Sequence, residues 1–240
     1  MKKASLLIII LTLVYSCNKE VTIDFVEQQI ETSQSAEISI VYPKAEGTDD
    51  IANRINTSIQ NYIVKQINFS EDSQTKGSID DAVAKFNYEF TSFKNEFPND
   101  AQQWEAFIDG EVTYRSPEII SIAINSYLDT GGAHGNTTVR FFNFDPQTGK
   151  LLTKKELISN TEKLSKLIEH TLINEVKLKS DNEPVEDLFF GKDFQLPESL
   201  GYSEEGLIIL YNPYEIASYA QGIIEFTIPF EEVNSFLNRS

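Results

Sequence analysis

Leu6 to Val14 is an apolar run interrupted only by Thr12. It follows Lys2 and Lys3 and leads into Tyr15-Ser16-Cys17. The run is too short to cross a bilayer as a stable helix, and its charged start and small residue before position 17 have the form of a cleaved secretory leader over 1–16. Residues 18–36 are polar and aperiodic, so 17–36 reads as a tether ahead of the fold. Glu37 to Tyr42 then alternates with Ile38, Ile40 and Tyr42 on one face, a strand that Pro43 is expected to stop. Thr48 is placed to cap a helix whose Ile51, Ile55, Ile59, Ile63 and Ile67 fall on one side. Ser78 and Asp81 have capping-box spacing and open a second helix carrying Ile79, Val83, Phe86, Phe90, Phe93 and Phe97, ended by Pro98-Asn99-Asp100.

The middle of the chain switches to period two. Trp104 to Arg115 alternates around Asp109-Gly110, as one bent strand or as a hairpin with a type I′ turn. Ile120 to Leu128 and Thr138 to Phe144 are two more alternating strands, linked by Thr130-Gly131-Gly132-Ala133-His134-Gly135. Asp145-Pro146-Gln147-Thr148-Gly149 is a turn. Asn160 or Thr161 caps a third helix with Leu164, Leu167, Ile168, Leu172 and Val176 inward, and an acidic loop follows at 181–187. Strands at Leu207–Tyr211 and Ile223–Ile228 come next, and Pro229 starts a last short helix. Helices before and after sequential strands predict an α+β fold: an antiparallel β-sheet with helices packed against it, in two closely joined subdomains, 37–100 and 101–240.

Charge narrows the partners. Removing 1–16 takes two lysines and no acid, leaving 18 basic against 37 acidic residues, a net charge of −19. Such a surface repels nucleic acid and anionic headgroups and favours basic partners. Cys17 is the one cysteine, so no disulfide is available inside the fold. Its place after the leader makes Val14-Tyr15-Ser16-Cys17 a lipobox and Cys17 the expected lipid attachment site. The expected location is the cell envelope, anchored to a membrane outside the cytoplasm, the outer one in a Gram-negative source.

The chemistry-bearing residues are few. Gly131, Gly132 and His134 form a loop able to approach a ligand with its backbone, but the spacing is that of neither a phosphate loop nor a nucleophile elbow. Asp129 and Asp145 are the acids that could join His134. His170 has no His or Cys at i+3 or i+4, so no metal and no cofactor is expected. Tyr211, Tyr214 and Tyr219, within Tyr211 to Gly222, offer flat amphipathic area suited to protein or sugar recognition. The ligand-contact candidates are therefore Gly131, Gly132, His134, Tyr211, Tyr214 and Tyr219, with no catalytic set.

Those same segments carry a resemblance. Gly131-Gly132-Ala133-His134, Phe142-Asn143-Phe144-Asp145, Thr148-Gly149-Lys150 and Tyr211 to Gly222 resemble the signature of a bacterial extracytoplasmic domain of unknown function. Ile38 to about Phe97 looks like the smaller domain that precedes it in a lysozyme-sensing anti-sigma factor and in a peptidoglycan deacetylase. The resemblance implies an envelope binding or sensing module, for a basic protein such as lysozyme or for cell-wall glycan. The alternatives from the residues alone are a hydrolase of envelope polymers using His134 with nearby carboxylates, and a purely structural envelope lipoprotein.

Overall fold

The computed structural model describes residues 23–33, 35–47, 49–68, 77–179 and 185–239. The leader, Cys17 and the Thr48 cap lie outside them. Strand β1 (Asp24–Thr32) pairs antiparallel with β2 (Glu37–Glu46), and helices α1 (Asp49–Ile67) and α2 (Ile79–Glu96) follow. Strands β3 (Glu105–Arg115), β4 (Ile120–Asp129) and β5 (Asn136–Phe144) complete a sheet of order β1-β2-β3-β4-β5. The two helices form the long crossover a parallel pair needs, and β2 and β3 are parallel from Glu37↔Glu105 to Val41↔Asp109. Every other pairing is antiparallel.

The expected elements are present, with four differences that have physical reasons. Part of the expected tether is β1. Its side chains are mostly polar and are exposed or at most half-buried, so alternation is faint, and its register on β2 is what orders it. Pro43 does not stop β2. Beyond Val41 that strand has no β3 neighbour, and a residue without an N–H is tolerated there. Asp109-Gly110 is not a hairpin turn, because β3 runs through it and bulges only between Val112 and Tyr114. A Cβ at Gly110 would lie 2.6 Å from Ile124 Cδ1 and 3.0 Å from Pro43 Cδ, so the glycine permits close approach instead. Finally, the large sheet runs across residue 100, because the β2–β3 pairing joins the segments on either side of it, and the two sheets part between Phe144 and Leu200.

One face of the large sheet buries Ile38, Ile40, Ala106, Ile108, Ile120, Ile122 and Ile124 against α1 and α2. Ile55, Ile59, Ile63 and Ile67 are the buried stripe of α1, and Ser78 with Asp81 forms the expected capping box on α2. After the Asp145–Gly149 turn come α3 (Lys154–Leu157) and α4 (Thr161–Lys179), whose first turn is capped by Asn160 Oδ1 accepting from Lys163 N. Strands β6 (Leu200–Tyr202), β7 (Gly206–Tyr211) and β8 (Ile224–Pro229) then make a second antiparallel sheet, followed by α5 (Phe230–Val233).

Strand β7 is buried throughout because it lies between two layers. Leu207, Ile209 and Tyr211 join the α4 residues Leu164, Ile168 and Leu172, while Ile208 and Leu210 meet Phe141 of β5. Polar groups buried between the sheets are used to join them. Asn143 Nδ2 donates to Leu200 O at 2.7 Å, and Tyr202 N donates to Ser121 Oγ at 3.2 Å. The result is helices on sheet, sheet on sheet, and a helix outside.

Candidate functional site

Two loops at one end of this stack meet. The first leaves β4 at Asp129, whose Oδ1 accepts from Gly131 N (3.0 Å) and Gln102 Nε2 (3.2 Å). That side-chain turn reverses the chain while Gly131 and Gly132 take φ of 91° and 145°. At Gly135 the backbone packs close against Tyr127, since a Cβ there would come within 2.4 Å of its Cζ and hydroxyl. Tyr127 in turn stacks on Phe107 across the β3–β4 pair, at 6.0 Å between centroids and 12° between planes. His134 is thereby held exposed at the surface.

The second loop leaves β7 at Tyr211. Asn212 extends the edge of β5 with its side chain: Val139 N donates to Oδ1 at 2.7 Å, and Nδ2 donates to Val139 O at 3.0 Å. Glu215 closes the loop below, its two oxygens accepting from Asn212 N (2.9 Å) and Glu198 N (2.6 Å). Burial is the main influence on its carboxyl and raises its pKa, with Glu198 adding to the rise and the two N–H donors opposing it. Between these fixed points Tyr214 adopts φ 67°, a left-handed conformation costly for a tyrosine, and the residue stays 57% exposed.

The loops join through aromatic rings. His134 stacks on Tyr219 at 3.6 Å and 15°, and Tyr214 lies 5.8 Å from Tyr219. Tyr219 OH donates to Gly135 O at 3.1 Å, tying the second loop to the first. His134 Nδ1 is 2.9 Å from the same carbonyl, which only accepts, so Nδ1 carries the proton. Nε2 faces Tyr214 OH at 3.5 Å.

The structure therefore brings Gly131, Gly132, His134, Tyr214 and Tyr219 to one patch. Tyr211 does not join them. It is 1% exposed, its hydroxyl donates to Gln195 O at 2.8 Å, and burial drives its pKa far above the phenol's ordinary value. Asp145 is also remote. It lies past the far end of the nine-residue β5, about 30 Å of extended chain from the loop, and binds Arg239 at 2.7 Å. Sequence reasoning passed over Phe107, Tyr127 and Gln102, which support the patch. For the first two, the alternation of β3 and β4 carried the signal.

Comparisons with known proteins agree with this architecture. A family model described as Protein of unknown function (DUF3298) matches residues 151–231, and one described as Deacetylase PdaC matches residues 30–137. Anti-sigma-V factor RsiV of Bacillus subtilis (strain 168) is 27% identical over 139 residues, covering 55% of this chain and 48% of the relative. The chain thus spans about half the length of the curated relative it matches. Two crystal structures share the fold at 17% identity, each covering 90% of this chain and 94% of the other. One is a DUF3298 family member from Bacteroides fragilis, TM-score 0.68, and the other a DUF3298 family protein from Pseudomonas aeruginosa PAO1, TM-score 0.58. A DUF3298-like region follows a PdaC-like one, as the resemblance read from the sequence implies, but the PdaC-type match runs on to residue 137 and takes in residues 131–134, which that reading assigned to the second region.

Proposed function

We propose that this chain is a non-catalytic binding or sensing module of the cell envelope, and that the His134–Tyr214–Tyr219 patch receives its partner. The observation that carries the reading is the meeting of the two distinctive sequence segments in one exposed aromatic surface. Stacked rings on fixed loops offer contact area with little entropy left to lose, and they suit the apolar faces of sugars or the cationic heads of a basic protein. The polar groups serve positioning. His134 Nδ1 and Tyr219 OH both donate to Gly135 O, and Asp129 is engaged by Gly131 and Gln102. The similarity to an anti-sigma factor and to a PdaC-type region supports an extracytoplasmic setting. Among the described residues no helix is long and apolar enough to cross a membrane. Attachment through a lipid on Cys17 is the arrangement this reading favours.

The partner class is a basic protein of the lysozyme kind or cell-wall glycan, the two that the sequence resemblance and the net charge of −17 of the whole chain favour. Calorimetric titration of the purified protein with lysozyme and with muropeptides tests this, and silence with both removes the reading. Binding steered by charge weakens as salt rises from about 50 to 500 mM, where the screening length falls to a few ångströms. A peptidoglycan activity screen comparing wild type with His134→Ala tests the absence of catalysis. Turnover that depends on His134 would overturn it.

A further inference from the structure

Beside the aromatic patch, the large sheet presents a face that nothing described covers. Odd-numbered positions of β2 up to Val41, of β3 up to Glu111 and of β4 point away from α1 and α2. Over β4 and β5 that side is roofed by the second sheet, but over β1, β2 and β3 as far as Glu111 none of the described residues covers it. The registers there set Glu37 opposite Glu105, and Glu105 opposite Asp129, so one row across three strands is three carboxylates. Glu31, Asp109 and Glu111 stand on the same side, at positions that include no lysine or arginine. Among the described residues, no ion pair engages Glu31, Glu37, Glu105, Asp109 or Glu111. Like charges directly opposite in a sheet are destabilising, so this row costs the fold stability.

Two further features mark the face as a surface for contact. The stacked pair Phe107–Tyr127 stands half-buried among the acids, and a shallow pocket of about 510 Å³ opens between Glu31, Glu37, Ser39 and Phe107. The Tyr127 ring also carries Gly135, making the face continuous with the His134 patch.

We infer that this open face is the docking surface for a cationic protein partner, one presenting a run of lysine and arginine side chains. Ammonium and guanidinium heads complement the carboxylate row, and guanidinium planes suit the Phe107 and Tyr127 rings. A second copy of this chain would meet the row with its own negative charge. The inference rests on the proposed binding function and names the surface that would choose a basic protein over a neutral glycan.

The test uses two probes, hen lysozyme and a decalysine peptide, titrated against the whole protein and two charge-matched triple variants. Glu37→Gln/Glu105→Gln/Glu111→Gln alters the open face, and Glu204→Gln/Glu205→Gln/Glu232→Gln alters exposed acids of the second sheet and α5. The open-face triple should lose at least tenfold in decalysine affinity and the control no more than twofold. Relief of the like-charge row should also raise the melting temperature of the first triple, and Glu105→Gln alone should show both effects in smaller measure. Equal weakening by the two triples would overturn the inference, because net charge alone would then account for binding. Stoichiometric calcium binding abolished by the first triple would also overturn it, reassigning the row to a metal ion. If lysozyme is silent while decalysine follows the expected pattern, the lysozyme-like partner fails and the docking face stands. If lysozyme binds wild type and both triples alike, the docking face fails and the binding function stands.

Discussion

Replacing Asn212 by alanine removes both hydrogen bonds through which the Tyr214 loop continues the edge of β5. It leaves Val139 N and Val139 O without the side-chain amide that serves them at 2.7 and 3.0 Å. Each such bond contributes about 0.5–1.5 kcal/mol net, so the pair is worth about 2 kcal/mol. At about 2–4 °C per kcal/mol for a domain of this size, the melting temperature should fall by about 4–8 °C. Asn212→Asp separates the two bonds. The introduced carboxylate still accepts from Val139 N but faces Val139 O with no proton to donate. Its folded pKa is then raised above the unfolded value, so the stability it retains is present at low pH and lost as pH rises through the folded pKa. Differential scanning calorimetry of wild type, Asn212→Ala and Asn212→Asp across the carboxylate pH range reads all of this. A shift below 1 °C for Asn212→Ala, or a pH-independent Asn212→Asp, would refute the claim that this amide secures the loop.

Gly110→Ala forces a methyl to within 2.6 Å of Ile124 Cδ1 and 3.0 Å of Pro43 Cδ in the core, and should cost about 1–3 kcal/mol. An unchanged urea midpoint would show that the strands can separate there. Glu156 is held at about 2 by Lys150, with Thr153 assisting, against an ordinary 4.5. This folded value is lowered, so its stabilising contribution is present above the unfolded pKa and fades as pH falls from 4.5 toward about 2. A carboxyl NMR titration should find that Lys150→Ala moves Glu156 upward, and no movement would contradict the pairing. Tyr219→Phe keeps the stack on His134 but loses the bond to Gly135 O, so amide exchange across 131–135 should quicken several-fold. Unaltered exchange would mean that the ring alone orders the loop.

Local pattern made much of this fold legible. The isoleucine stripe of α1, the capping box of α2, the alternation of β4 and β5 and the Asn160 cap of α4 are all short-range signals, and each appears where the spacing put it. What escaped depends on distant partners. β1 is ordered by its register on β2 more than by its own apolar residues. The parallel β2–β3 pair needs a crossover of two helices, and no local signal specifies which strands it joins. Gly110 looked like a turn because a glycine admits both a turn and a close approach, and only Ile124 and Pro43 decide between them. At the site, residue types were readable and their meeting was not. Tyr211 could have been set aside, since it ends the unbroken apolar run Leu207–Tyr211, which marks a strand buried on both faces.

The patch formed by His134, Tyr214 and Tyr219 is tested most directly by Tyr214→Ala in a calorimetric titration with lysozyme. The ring is exposed, so the melting temperature should hold within about 1–2 °C while the affinity falls at least tenfold, about 1.4 kcal/mol. An affinity equal to wild type, in a variant that folds as wild type does, would contradict the account.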